Sequence, residues 1–157
     1  MSRIDDRLAA LGITLPPPLD VSALPFELAR VHDDRVYLSG HVPIGPDGKL
    51  LLPVGKVGGA VTREQAHLAA RQVALGLMTS LKLALGDLDR VSHWLRLFGM
   101  VNAAPGFNAT TPVINGASEV ILEVFGPIIG AHSRSAVGVA ELPLDVPVEI
   151  EAEVAIG

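Results

Sequence analysis

The chain has 157 residues, of which 49% are hydrophobic and 18% charged, with a formal net charge of −5. That balance suits one domain with a substantial core and excludes a disordered chain. Zero cysteines exclude disulfides, thiolate catalysis and cysteine-held metals, and the twelve Lys and Arg residues are too scattered for a nucleic-acid track.

No uninterrupted apolar run reaches about 18 residues, so no transmembrane helix is expected. The N-terminal MSRIDDRLAALG is charged and lacks the apolar segment of a secretory signal, which makes the cytoplasm the expected compartment. Ser2 to Gly12 predicts a short helix capped by Ser2, with Ile4, Leu8 and Leu11 on one face and Gly12 as its stop. Pro16-Pro17-Pro18 then enforces an extended connection. Residues 1–23 are therefore expected to be an N-terminal helix and proline-rich lead-in, ahead of a domain over 24–157.

Phe26 to Val31 and Arg35 to Ser39 are β-rich runs around an acidic turn, His32-Asp33-Asp34. The glycine-rich stretch Ile44 to Gly59 reads as a loop. Its Gly55-Lys56 pair lacks the Ser/Thr and the first glycine of a phosphate-binding loop. Thr62 with Gln65 forms a capping box for a long helix to about Leu85, with Leu68, Leu75, Met78, Leu81 and Leu85 as its seam and Gly86 as its end. Gly76 inside it suggests close packing against the sheet.

Val91 to Val101 is strongly β-like. Strict alternation puts Val91, Leu95, Leu97 and Val101 on one face and Trp94, Phe98 and Met100 on the other. A strand apolar on both faces is covered on both, which points to a partner subunit over the face that helices leave free. A second helix is expected from Thr111 or Pro112 to Phe125.

The last stretch, from Ala131 to Gly157, predicts two strands joined by a tight Leu142-Pro143-Leu144-Asp145 turn. Pairing Ser135–Ala140 antiparallel with Val148–Val154 would bring Arg134 and one glutamate to the same sheet end. A guanidinium and a carboxylate placed so can form a small-anion site. The order β-β-α-β-α-β-β, with both long helices on one face of a mixed sheet, is an α+β layered domain.

The residues Val36-Tyr37-Leu38-Ser39-Gly40-His41-Val42-Pro43, the Asn115-containing helix, and the run from Arg134-Ser135-Ala136-Val137 through Ala140-Glu141-Leu142-Pro143 to Val148-Glu149-Ile150-Glu151-Ala152 together resemble the RidA (YjgF-like, L-PSP endoribonuclease) family. The match covers about Leu24 to Ile156. The resemblance implies a chorismate-mutase-like fold, a homotrimer with ligand clefts between subunits, and hydrolysis of reactive 2-imino acids to 2-oxo acids and ammonia without a cofactor. It implies Arg134 as the carboxylate clamp and Glu149 as the residue that orients water. Phe26, Ser39, Gly40, Asn115 and Ala136 would line the cleft. Phe26 stands where many members have tyrosine, and Ala136 replaces a common cysteine. The loop before the second long helix is about four residues longer, by alignment.

Residue chemistry agrees with that implication, since a planar guanidinium grips a carboxylate through two parallel charge-assisted hydrogen bonds. A protonated imine is already electrophilic, so the protein need only hold it, hold a water and help move protons. The five histidines show no metal spacing, and no metal site is expected. His41 and His132 flank the expected site and are candidates for tuning proton transfer. The partner expected is a small carboxylate-bearing metabolite, with neither a membrane nor a nucleic acid favoured. Two other functions compete: a non-catalytic trimer that binds a small carboxylate, and an endoribonuclease or translation inhibitor.

Overall fold

The computed structural model describes residues 2–157. Helix α1 spans Arg3–Ala10, strands β1 and β2 span Ala29–His32 and Arg35–His41, and helix α2 spans Arg63–Leu85. A 3-10 turn at Leu88–Arg90 leads into β3, Val91–Asn102, followed by helix α3, Thr110–Ile129, and β4, Ser133–Val139. A second 3-10 turn, Pro143–Asp145, precedes β5, Val148–Ile156. The five strands form one mixed sheet in the order β1-β2-β5-β3-β4. Only β3 and β4 run parallel. The α+β layered class therefore stands, with both long helices on one face.

Helix α2 begins and ends where its caps place it, whereas α3 starts after Ala109 without a side-chain cap. Thr62 and Gln65 exchange backbone-to-side-chain hydrogen bonds at the start of α2, and Gly86 at φ +78° ends it. The buried face of α2 includes many small residues, Ala66, Ala69, Ala70, Val73 and Ala74, and Leu68, expected in the seam, is instead 60% exposed. Small side chains allow α3 to cross closely. A Cβ on Gly116 would lie 2.0 Å from the carbonyl oxygen of His67. The approach expected at Gly76 is looser, its nearest neighbour being His41 Cδ2 at 3.8 Å. Helix α3 breaks at Gly126 (φ 79°, ψ 172°), ahead of Pro127.

Both long helices carry 18-residue windows with mean hydropathy of 1.2 and 1.3, apolar enough to cross a membrane by composition alone. Here their apolar faces lie in the core, with Met78, Leu81, Ile114 and Ile121 fully buried.

The N-terminal segment is docked as well. Ile4 and Leu8 are buried in the main core, Asp89 accepts from the backbone N–H groups of Arg3 and Ile4, and Thr79 donates to the carbonyl of Pro16.

Two expectations about the sheet are corrected. The final strands are not a hairpin: β5 inserts between β2 and β3, and β4 lies on the far side of β3. The connection crosses the end of β3, where the buried Asn102 side chain donates to Asp145 Oδ1 and to the Val146 carbonyl, and its backbone N–H donates to the Pro147 carbonyl. Trp94 is not on the face of Phe98 and Met100. A register shift between Trp94 and Arg96 turns its indole into the core, where it meets Phe125 edge-on at 5.5 Å. The helix-free face of β3 thus keeps Phe98 and Met100, both half-buried.

Candidate functional site

Directly paired residues in a sheet share a face. Arg134 pairs with Leu97, and Leu97 pairs with Ala152, so Arg134 lies on the helix-covered face. Its guanidinium reaches α3, donating from Nη1 to Ser118 Oγ at 2.8 Å and from Nη2 to Asn115 Oδ1 at 2.6 Å and the Thr111 carbonyl at 3.1 Å. All three acceptors are neutral. Among the described residues no carboxylate forms an ion pair with Arg134, and burial lowers its pKa against a weaker opposing pull from Glu119. A guanidinium is charged regardless. The result is a half-buried, fixed cation held without a direct ion pair among the described residues. Ala136, two residues on, shares that face, and its carbonyl accepts from Thr110 Oγ1 at 3.0 Å.

Thr111 and Ser118 were not expected from the sequence. For Ser118 a signal was available, since it follows Asn115 at helical i, i+3 spacing, whereas Thr111 contributes its backbone carbonyl, which no side-chain pattern marks.

Glu149 belongs to a second cluster. It pairs with Met100, whose partner on β4 is Val137, so it lies on the helix-free face. Its carboxylate lies over Gly40, where an added Cβ would be 2.6 Å from Oε1. Gly40 sits in the irregularity between Leu38 and His41, and only the missing side chain admits the carboxylate. Ser39 donates from Oγ to the Glu27 carbonyl at 2.7 Å, which ties this bulge to the stretch holding Phe26, itself 50% exposed. Burial, and next Glu151, push the Glu149 pKa up.

Arg134 and Glu149 therefore do not face each other across paired strands. Within one chain they lie on opposite faces of the sheet, with β3 between their strands. Arg134, Asn115 and Ala136 form one half of the expected site, and Phe26, Ser39, Gly40 and Glu149 form the other. Glu153 is engaged elsewhere, accepting from Arg35 at 2.7 Å, and Glu151 is exposed.

The two flanking histidines have both ring nitrogens occupied. His41 is buried between the Ser39 carbonyl at 2.6 Å and Ser80 Oγ at 2.7 Å, and burial lowers its pKa. His132 lies between the Gly130 carbonyl at 2.7 Å and Ser118 Oγ at 2.8 Å. Each holds neighbouring groups. Among the described residues no group of three or more His, Asp or Glu could hold a metal ion.

This geometry can be set beside known proteins. A family described as "YjgF/chorismate_mutase-like, putative endoribonuclease" matches residues 5–150. The chain belongs to this family. The YjgF-like match begins within α1, in the segment expected to lie outside it. The Trypanosoma cruzi protein TCP17 is 37% identical over 150 residues, covering 96% of this chain and 92% of TCP17. The crystal structure of Atu1372 from Agrobacterium tumefaciens, a protein of unknown function, is 37% identical with a TM-score of 0.89, over 98% of this chain and 92% of that one. A Shewanella oneidensis structure carrying the same endoribonuclease designation is 28% identical with a TM-score of 0.92, over 99% and 100% of the two chains.

Proposed function

We propose that this YjgF-like protein hydrolyses reactive 2-imino acids to 2-oxo acids and ammonia, with Arg134 gripping the substrate carboxylate and Glu149 orienting the attacking water. The observation that carries this reading is the Arg134 guanidinium, held by three neutral acceptors and ion-paired with no carboxylate among the described residues. Such a group favours one small carboxylate over a neutral ligand. Glu149 is half-buried, and burial raises its pKa, which makes its carboxylate a better proton acceptor than an ordinary exposed glutamate. Water attacks the imine carbon and gives up a proton, leaving a carbinolamine. Its nitrogen is protonated, and the C–N bond breaks as the hydroxyl loses its proton and becomes the C=O of the 2-oxo acid, releasing ammonia.

The two halves of the site must come from different copies. A homotrimer in which the β4 edge of one subunit meets the Phe26–Gly40–Glu149 region of the next completes the cleft. It also covers the half-buried Phe98 and Met100. Light scattering should give about 49 kDa, three times the chain mass of 16.4 kDa, and a 16 kDa species would contradict the assembly.

Ionisation of Glu149 gives a second prediction. Because its folded pKa is raised, the folded protein holds the proton more tightly than the unfolded chain. Stability therefore falls as pH rises from the ordinary glutamate range, about 4.3, through the raised value, and the loss persists above it. Glu149→Gln should melt above wild type at pH 7, with the gap closing near pH 4, while losing imine hydrolysis. A lower melting temperature at pH 7 would count against an uncompensated carboxylate there.

RNA cleavage is the second reading, favoured by the designation that the family and the Shewanella oneidensis structure carry. It requires cations free for phosphates. Seven of the twelve Lys and Arg residues (Arg3, Arg30, Arg35, Lys56, Arg63, Arg71 and Lys82) are already paired with carboxylates. That distribution supports the carboxylate reading. Salt-dependent RNA binding at low ionic strength would reverse the ranking.

A further inference from the structure

We infer that Ser118 and His132 are positioning residues for the Arg134 clamp, fixing the guanidinium through a hydrogen-bond chain of defined direction. The inference rests on the carboxylate-binding role proposed for Arg134.

The direction follows from which groups can only accept. The Gly130 carbonyl, 2.7 Å from His132 Nδ1, has no proton, so Nδ1 carries one and donates it. In the neutral ring Nε2 is then an acceptor, and the hydroxyl of Ser118, 2.8 Å away, donates to it. With its proton committed, the Ser118 oxygen offers lone pairs to Arg134 Nη1 at 2.8 Å. The chain runs from arginine to serine to histidine to the Gly130 carbonyl, and nothing in it carries negative charge.

Two consequences separate this arrangement from an ordinary packing contact. A serine inside a helix tends to turn its hydroxyl to the carbonyl four residues back, here Ile114, and His132 gives that proton another destination. The Ser118 oxygen thus stays aimed at β4. Together with Asn115 and Thr111 on Nη2, it fixes the guanidinium plane and leaves two of the five N–H donors for a ligand. A carboxylate in place of Ser118 would hold the arginine equally well but would cancel its charge. A neutral relay holds it and keeps the charge for the substrate.

The test uses the full-length protein, 2-oxobutanoate as a binding probe by calorimetry, and 2-iminobutanoate generated in situ from threonine as the substrate. Ser118→Ala and His132→Ala should each raise Kd and KM about fivefold, the cost of one lost hydrogen bond, with kcat within about twofold of wild type. Ser118→Thr keeps the hydroxyl and His132→Gln keeps an acceptor at the same reach, so both should restore near wild-type Kd. The double variant Ser118→Ala/His132→Ala should bind no worse than Ser118→Ala alone, because the histidine acts only through the serine.

Unchanged Kd and KM in both alanine variants, with Arg134→Ala still unable to bind, would overturn the positioning role and leave the clamp standing. Binding without turnover would remove the hydrolase reading, and the Kd series would still decide on Ser118 and His132. A wild type that binds no 2-oxobutanoate would overturn both.

Discussion

Gly116→Ala should destabilise this protein by about 3 kcal/mol or leave it unable to fold, a large effect for one methyl group. The added Cβ would stand 2.0 Å from the His67 carbonyl oxygen, 3.0 Å from its carbon and 3.2 Å from the Arg71 N–H nitrogen. All three are backbone atoms of α2. A flexible side chain could swing aside, but backbone gives way only if the two helices part along their alanine-lined contact. The Gly76 position supplies the control. There the nearest atom to an added methyl is His41 Cδ2 at 3.8 Å, an ordinary contact. Gly76→Ala should therefore be neutral or stabilising by up to about 1 kcal/mol, the helix-propensity gain. Thermal unfolding checks both, since about 3 kcal/mol corresponds to roughly 6–12 °C in a domain of this size. Similar melting temperatures for the two variants would contradict the close helix crossing.

Arg134→Ala should lower kcat/KM for imine hydrolysis by at least about 100-fold, the scale expected when one partner of a desolvated charge pair is removed. Arg134→Lys should recover only part of it. An ammonium retains the charge, but its three donors would all be spent on Ser118, Asn115 and Thr111, whereas the guanidinium keeps Nε–H and one Nη1–H for a carboxylate. The expected order is wild type, then lysine, then alanine, read most clearly in KM and in the Kd of a 2-oxo acid. Neither substitution breaks an ion pair among the described residues, so melting temperatures should move far less than activity. Full activity in both variants would remove Arg134 from the reaction and, with it, the proposed site.

The helices were legible because their ends are chemical. Thr62 with Gln65, and Gly86, are local signals that act within a turn of where they stand. The sheet was legible only in part. Alternation from Val146 to Ile156 shows which residues share a face, but nothing in a period of two names the neighbouring strand. The short Leu-Pro connection suggested a hairpin, whereas the chain steps over the end of β3, and that step rests on Asn102, a residue with no marker in the sequence. Trp94 was misplaced for a related reason, because a bulge shifts the phase without changing composition. At the site, Arg134 with Asn115 and Glu149 with Gly40 emerged as two separate groups. Their expected meeting across a hairpin failed with the hairpin itself. Ser118 had no marker of its own, because a serine in a helix gains meaning here only from Asn115 one turn before it and from Arg134 on a strand that follows later.

The strand that lies last in the sequence occupies the middle of the sheet, with β2 on one side and β3 on the other. Until β5 arrives, β1 with β2 and β3 with β4 are two separate ribbons, each exposing an unpaired inner edge. During synthesis the helices can form early, but the sheet cannot close until Val148–Ile156 has emerged. Non-local strand pairing of this kind makes folding slow and leaves edges open to wrong partners. Trapped intermediates should therefore be helical and sticky, and a separate peptide spanning Val148–Ile156 is the segment most capable of rescuing them.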